Sequence, residues 1–259
     1  MIDSTGAETI TSAIRQADTT AICGYVTAGY PDKAAFVDIL ASVGSSADVI
    51  EIGVPFTDPM ADGLTIQRAS HVALENGVNL AWILEVVSQA NLAAPVLLMG
   101  YYNPFLAFGM EGLGEALAGS GVSGLIVPDA PLEESGQIRA MVEPHGLSFV
   151  QLVTPTTSDD RLAALVGASS GFVYAVTTRG VTGGNVEFAE TDLEYLDRVR
   201  EASSIPVLAG FGIRSQAQVL ALSSRVDGVV VGSALIDAID RGDDPGEFLA
   251  SLRPTGEPA

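Results

Sequence analysis

Lysine is nearly missing from this chain: Lys33 is the only one, and 12 basic residues face 32 acidic ones for a formal net charge of −20. Such a field excludes nucleic acid and an anionic membrane surface as partners. It also leaves an anionic ligand to be held by backbone N–H groups rather than by basic side chains. Cysteine is confined to Cys23, so there is no disulfide framework, and a reducing cytoplasm is the expected setting. The two histidines, His71 and His145, lie far apart and without HxxxH-type spacing, which excludes a metal site. A nucleophile elbow and a dinucleotide fingerprint are both absent. The opening MIDSTGAETITSAIRQ is polar and carries no apolar signal core. Between Val86 and Met110 no formally charged residue occurs, but Ser88, Gln89, Asn91, Pro95, Asn103 and Pro104 interrupt the run. Helix end, strand and turn therefore describe it better than a membrane span.

What the chain does have is glycine, 28 of them, and short apolar runs at regular intervals. AICGYVTAGYPD reads as a strand ending in a Gly-Tyr-Pro turn, and Val49 to Gly53 as a second. Further runs follow at Pro95 to Tyr101, Gly124 to Val127, Leu147 to Val153, Gly171 to Val176, Pro206 to Ala209 and Gly228 to Val231. Amphipathic stretches alternate with them, and residues 4 to 17 carry Ile10, Ala13 and Ile14 at helical spacing. Continuous apolar strands alternating with helices call for a parallel sheet covered on its outside. Eight such units in 259 residues predict an α/β fold, a (β/α)8 TIM barrel in one domain over residues 1–259, with an extra N-terminal helix and a frayed tail from about residue 253. An open doubly wound sheet is the alternative, because strand order is not visible in sequence.

In a barrel, function gathers at the C-terminal ends of the strands. In VIEIGVPFTDPMADGLTIQ, Glu51 shares a strand face with Val49, where an aliphatic residue would be cheaper to bury. Asp62 follows on a Pro-, Asp- and Gly-rich loop. Glu51 reads either as a salt-bridged or solvated strand-end carboxylate or as a half-buried acid whose proton affinity is raised into a useful range. Asp62 reads either as a turn-former or as its partner, two acids in different environments dividing acid and base roles. After the seventh and eighth strands, Gly210-Phe211-Gly212 and Gly232-Ser233 open turns into helices. Their N–H groups and a helix dipole form a phosphate cradle, or the glycines only permit tight turns. The sixth exit, TTRGVTGGNVEF, reads as a flap over the site or as a surface loop, and Gly183 can add an N–H to the same phosphate. Tyr25, Tyr101 and Tyr174 at strand ends suit an aromatic pocket or an ordinary core. Asp129, ahead of Glu133 and Glu134, suits a cap or turn as well as direct chemistry.

Taken together, EIGVPFTDPMADGLTIQ, MGYYNPFLAFG, VPDAPLEES, VTPTTSDDRL, GVTGG, GFGI and VVVGSA closely resemble the α subunit of tryptophan synthase, in the expected order from about Ile22 to Leu235. The resemblance implies a (β/α)8 lyase without a cofactor of its own that splits indole-3-glycerol phosphate into indole and glyceraldehyde 3-phosphate. It implies a β subunit partner in an α2β2 complex, with pyridoxal phosphate in that partner. Residue by residue, it implies that Glu51 shuttles the proton for indole C3 and that Asp62 receives the indole N–H. Tyr25, Tyr101, Tyr174 and Asp129 would surround the substrate. Gly183, Gly212, Gly232 and Ser233 would hold its phosphate, with Thr182 in the flap. Asp58, Pro59, Asn103 and Pro104 would face the partner. Where the family reads DGPTIQ this chain has Leu64, which frees one φ angle, and Arg179 stands beside GVTG. The rivals are a free-standing lyase, a catalytically idle allosteric subunit, and another phosphosugar enzyme on the same barrel.

Overall fold

A computed structural model describes residues 5–176 and 188–254. Eight strands, β1 (Ala21–Thr27), β2 (Val49–Gly53), β3 (Val96–Met99), β4 (Val122–Ile126), β5 (Ser148–Val153), β6 (Val173–Val176), β7 (Val207–Gly210) and β8 (Gly228–Val231), close into a barrel in sequence order. Every neighbouring pair is parallel, β8 with β1 included. The closed ring replaces the open-sheet alternative and leaves no edge strand to protect.

Alternation along each strand sorts the core into two layers. Cys23, Tyr25, Val49, Leu97, Ile126, Val150, Phe172, Tyr174, Leu208 and Val230 pack together inside the ring, and Glu51 is paired in register with Tyr25 and Leu97. Residues of the opposite parity, Ile22, Val26, Ile50, Ile52, Leu98 and Leu125 among them, pack outward with the helices.

The helix Gly6–Arg15 closes the bottom. Thr5 and Glu8 form a capping box at its start, and Thr11 Oγ1 donates to Gly171 O at 2.7 Å. Ile10 and Ile14, 0% and 3% exposed, enter the inner cluster, a burial that contributes about 2 kcal/mol each.

One segment departs from its sequence reading. The turn expected around Asn103 and Pro104 is the first turn of a helix, Tyr102–Phe108. Proline is tolerated there because N–H groups in a helix's first turn have no intrahelical acceptor to lose. No helix among the described residues is long and apolar enough to cross a membrane.

Close approach fixes Gly114 in the helix Met110–Gly119, where an added Cβ would lie 1.9 Å from the Met141 carbonyl oxygen and 2.4 Å from His145 Cδ2. A carbonyl held in a neighbouring helix cannot swing aside. Gly114→Ala therefore lowers stability, the overpacking cost of roughly 1–3 kcal/mol outweighing alanine's helix preference. Urea unfolding checks this, and an unchanged midpoint would mean the two helices separate freely.

Candidate active site

The C-terminal mouth of the barrel holds a cavity of about 670 Å³, a volume suited to a small-molecule ligand. Its wall is built from strand ends and exits: Tyr25, Glu51, Met99, Leu152, Tyr174 and Val230 from the ring, Asp62 and Ile66 from the loop and helix after β2, and Gly210, Gly212, Gly232 and Ser233 from the last two exits.

Glu51 stands at the floor, 0% exposed. Among the described residues its only side-chain neighbour at hydrogen-bonding range is the thiol of Cys23, Sγ to Oε2 4.0 Å, and Oε1 has no hydrogen-bond partner. Burial, and after it the charge of Asp62, push the Glu51 carboxyl up to about 8. Among the described residues no cation pairs with it, and it is fully buried, so within them it is neither a salt-bridged nor a solvated carboxylate.

Asp62 sits on a loop fastened by several bonds. Its N–H donates to Pro59 O at 3.1 Å, and Gln67 Nε2 donates to its carbonyl at 2.8 Å. The Tyr101 hydroxyl accepts from Ala61 N–H at 2.8 Å and donates to Asp62 Oδ2 at 3.2 Å. Burial raises Asp62 to about 6, and the Tyr101 hydrogen bond restrains that rise. The two acids thus differ in proton affinity because their surroundings differ, one walled by apolar side chains and one served by a phenol.

Two tyrosines lie against glycines that leave room for them. A Cβ at Gly53 would meet the Tyr25 hydroxyl at 2.1 Å, and one at Gly210 would meet the Tyr174 ring at 2.6 Å. The rings are therefore seated as cavity walls, with Tyr25 and Tyr174 only 6% and 7% exposed.

Gly212 has φ +66°, a left-handed conformation that a side chain would strain. Gly232 precedes the helix Ser233–Arg241 directly, and both Gly232 and Ser233 line the cavity, which puts the helix's N-terminal end with its free N–H groups at the cavity wall.

Asp129 takes a different place from the pocket expected for it. It is exposed, and its Oδ1 accepts from Tyr102 N–H at 2.8 Å, capping the helix that follows β3. Asp58 is exposed on the β2 exit loop with Thr57 Oγ1 donating to it at 2.6 Å, and Pro59 is half-buried beside it. Met60 and Leu64 stand 90% and 84% exposed on this loop and the helix start after it, and Leu106 is 48% exposed on the helix carrying Asn103 and Pro104. Arg179, Thr182 and Gly183, the expected flap, lie outside the described residues. No cluster of three His, Cys, Asp or Glu side chains that could hold a metal occurs among the described residues.

Several lining residues went unnoticed in the sequence: Met99, Leu152, Val176 and Val230. Their signal is parity, since each occupies an inward position near the end of its strand. Cys23, beneath Glu51, carries the same signal.

The family model for the tryptophan synthase alpha chain matches residues 11–253. The tryptophan synthase alpha chain of Solidesulfovibrio magneticus is 45% identical over 236 residues, covering 90% of this chain and 92% of the relative. That of a Roseiflexus species is 42% identical over 241 residues, 92% of each chain. Among solved structures, Mycobacterium tuberculosis tryptophan synthase superposes with a TM-score of 0.86 at 37% identity, over 98% of this chain and 100% of that one. A mutant tryptophan synthase alpha-subunit from Pyrococcus furiosus gives 0.83 at 33% identity, over 90% and 98%.

Proposed function

This chain belongs to the tryptophan synthase alpha chain family, and on that footing we propose that Glu51 and Asp62 divide the acid–base work of its lyase reaction. The reaction is the α half of tryptophan synthesis: indole-3-glycerol phosphate is cleaved to indole and D-glyceraldehyde 3-phosphate. Indole then passes to the β subunit, which carries the pyridoxal phosphate. A cytoplasmic location fits this biosynthetic role.

The carrying observation is the Glu51 carboxyl, fully buried at the cavity floor with one oxygen unpartnered among the described residues. A polar atom left so is costly unless something else meets it, and a substrate is that something. Near pH 7 Glu51 holds its proton and Asp62 has largely released its own. The Glu51 carboxyl then delivers its proton to indole C3 while the Asp62 carboxylate accepts the indole N–H and spreads the positive charge. The bond from C3 to the glycerol carbon breaks, that carbon becomes the aldehyde, and Glu51 recovers a proton from its hydroxyl. Tyr25 and Tyr174 wall the ring; Gly212, Gly232 and Ser233 hold the phosphate and so fix the scissile bond over the acids, with Gly183 assigned to the same phosphate by the family resemblance alone.

Asp58, Pro59, Asn103 and Pro104 mark the face for the β subunit, a reading supported by the exposed Met60, Leu64 and Leu106 around them.

This division sets the pH dependence. With Asp62 needed ionised and Glu51 needed protonated, kcat/KM rises through about pH 6 and falls through about pH 8. Indole release from indole-3-glycerol phosphate, followed from pH 5 to 9 with and without a β subunit, is the test. A rate still climbing past pH 9 would show that Glu51 is not required in its protonated form, and no indole in either condition would leave an idle subunit.

A further inference from the structure

The geometry points to Arg214 as a positioning residue for the substrate's phosphate, acting through the hydroxyl of Ser233. This rests on Gly212, Gly232 and Ser233 being the phosphate cradle.

No lysine or arginine lines the cavity among the described residues. Arg214 stands immediately behind its wall. Its backbone N–H donates to Gln218 Oε1 at 2.7 Å, and Gln218 is 5% exposed, so the residue is anchored at the start of the helix Gln216–Leu222. Its guanidinium reaches the neighbouring helix, with Nη1 2.8 Å from Asp237 Oδ2 and Nη2 3.4 Å from Ser233 Oγ. Ser233 and Asp237 are four residues apart on one helix, hence on one face, and a planar fork of donors spans both.

The consequence follows from donor and acceptor counts. A guanidinium only donates, and a serine hydroxyl has one hydrogen to give and two lone pairs to receive with. Once Nη2–H occupies one lone pair, the Ser233 hydrogen must point elsewhere. Ser233 lines the cavity, and the free N–H groups of its helix start beside it. Arg214 thereby orients the hydroxyl as a donor to an anion seated there, and its charge strengthens that donor. Asp237 holds the other arm of the fork and offsets part of the charge. A purely structural role would be that of an ion pair with side chains 51% and 28% exposed, which adds little stability and leaves substrate affinity alone.

The test is steady-state cleavage of indole-3-glycerol phosphate, with inorganic phosphate as competitive inhibitor, for Arg214→Ala, Arg214→Lys, Ser233→Ala and the Arg214→Ala/Ser233→Ala double variant. Arg214→Ala raises KM and the phosphate inhibition constant about tenfold with kcat within about twofold, the size expected for a charge-assisted hydrogen bond. Arg214→Lys recovers part of the loss, and the double variant is no worse than Ser233→Ala alone. Unchanged KM and inhibition constant in Arg214→Ala, or single effects that multiply in the double variant, overturn the inference while Ser233→Ala still reports the cradle. If Ser233→Ala also changes neither constant, the cradle itself is misassigned. Thermal midpoints of all four variants separate these outcomes from unfolding.

Discussion

Glu51→Gln lowers kcat for indole formation by roughly a thousandfold, within the range for removal of a positioned proton donor, and leaves KM within a few-fold. Glutamine keeps the volume and polarity at the cavity floor but has no acidic proton for C3 and no carboxylate to recover one. The same variant has a second, independent signature in stability. Glu51 is raised from its usual 4.5 to about 8 in the folded chain, so between those values the folded state binds more protons than the unfolded one. Stability is then fully present below about pH 4.5 and falls as pH rises toward 8. Glutamine escapes that fall. The stability of the variant relative to the native protein therefore grows by on the order of 3 kcal/mol between pH 5 and pH 8. Denaturant titrations at the two pH values measure it. Near-native turnover would show that Glu51 is not the donor, and a stability difference independent of pH would show that it is not held protonated.

Asp62→Asn costs about a hundredfold in kcat, because an amide accepts the indole N–H without the charge that stabilises the positive ring. Two changes in the pH profile accompany the loss. The limb near 6 disappears with the group that causes it. The limb near 8 moves to lower pH, since the charge of Asp62 is one of the two causes that raise Glu51. A variant that loses activity yet keeps both limbs would place the responsible groups elsewhere.

The barrel was legible because its strands are buried on both faces and read as unbroken apolar runs. Val49 to Gly53 and Gly228 to Val231 coincide with β2 and β8 to the residue. Glu51 was legible for the complementary reason, an acid inside such a run. What escaped depended on contacts between exits. Nothing in the sequence around Asp129 says that its carboxylate serves the helix after β3 rather than the one that follows it. Nor does the segment around Tyr101 reveal that its hydroxyl reaches back across the mouth to the β2 loop. Asn103-Pro104 carries a turn signature that is equally at home in a helix's first turn, and only packing decides between them.

Tyr101 has one further consequence. It is the N-cap residue of the helix Tyr102–Phe108, and its hydroxyl is the group that restrains the rise in Asp62's proton affinity. An outer helix and an inner acid therefore share a single side chain. The position of that helix, which carries Leu106 on its outer side, thus bears on how firmly the phenol holds the loop acid, and through it on the strength of that acid.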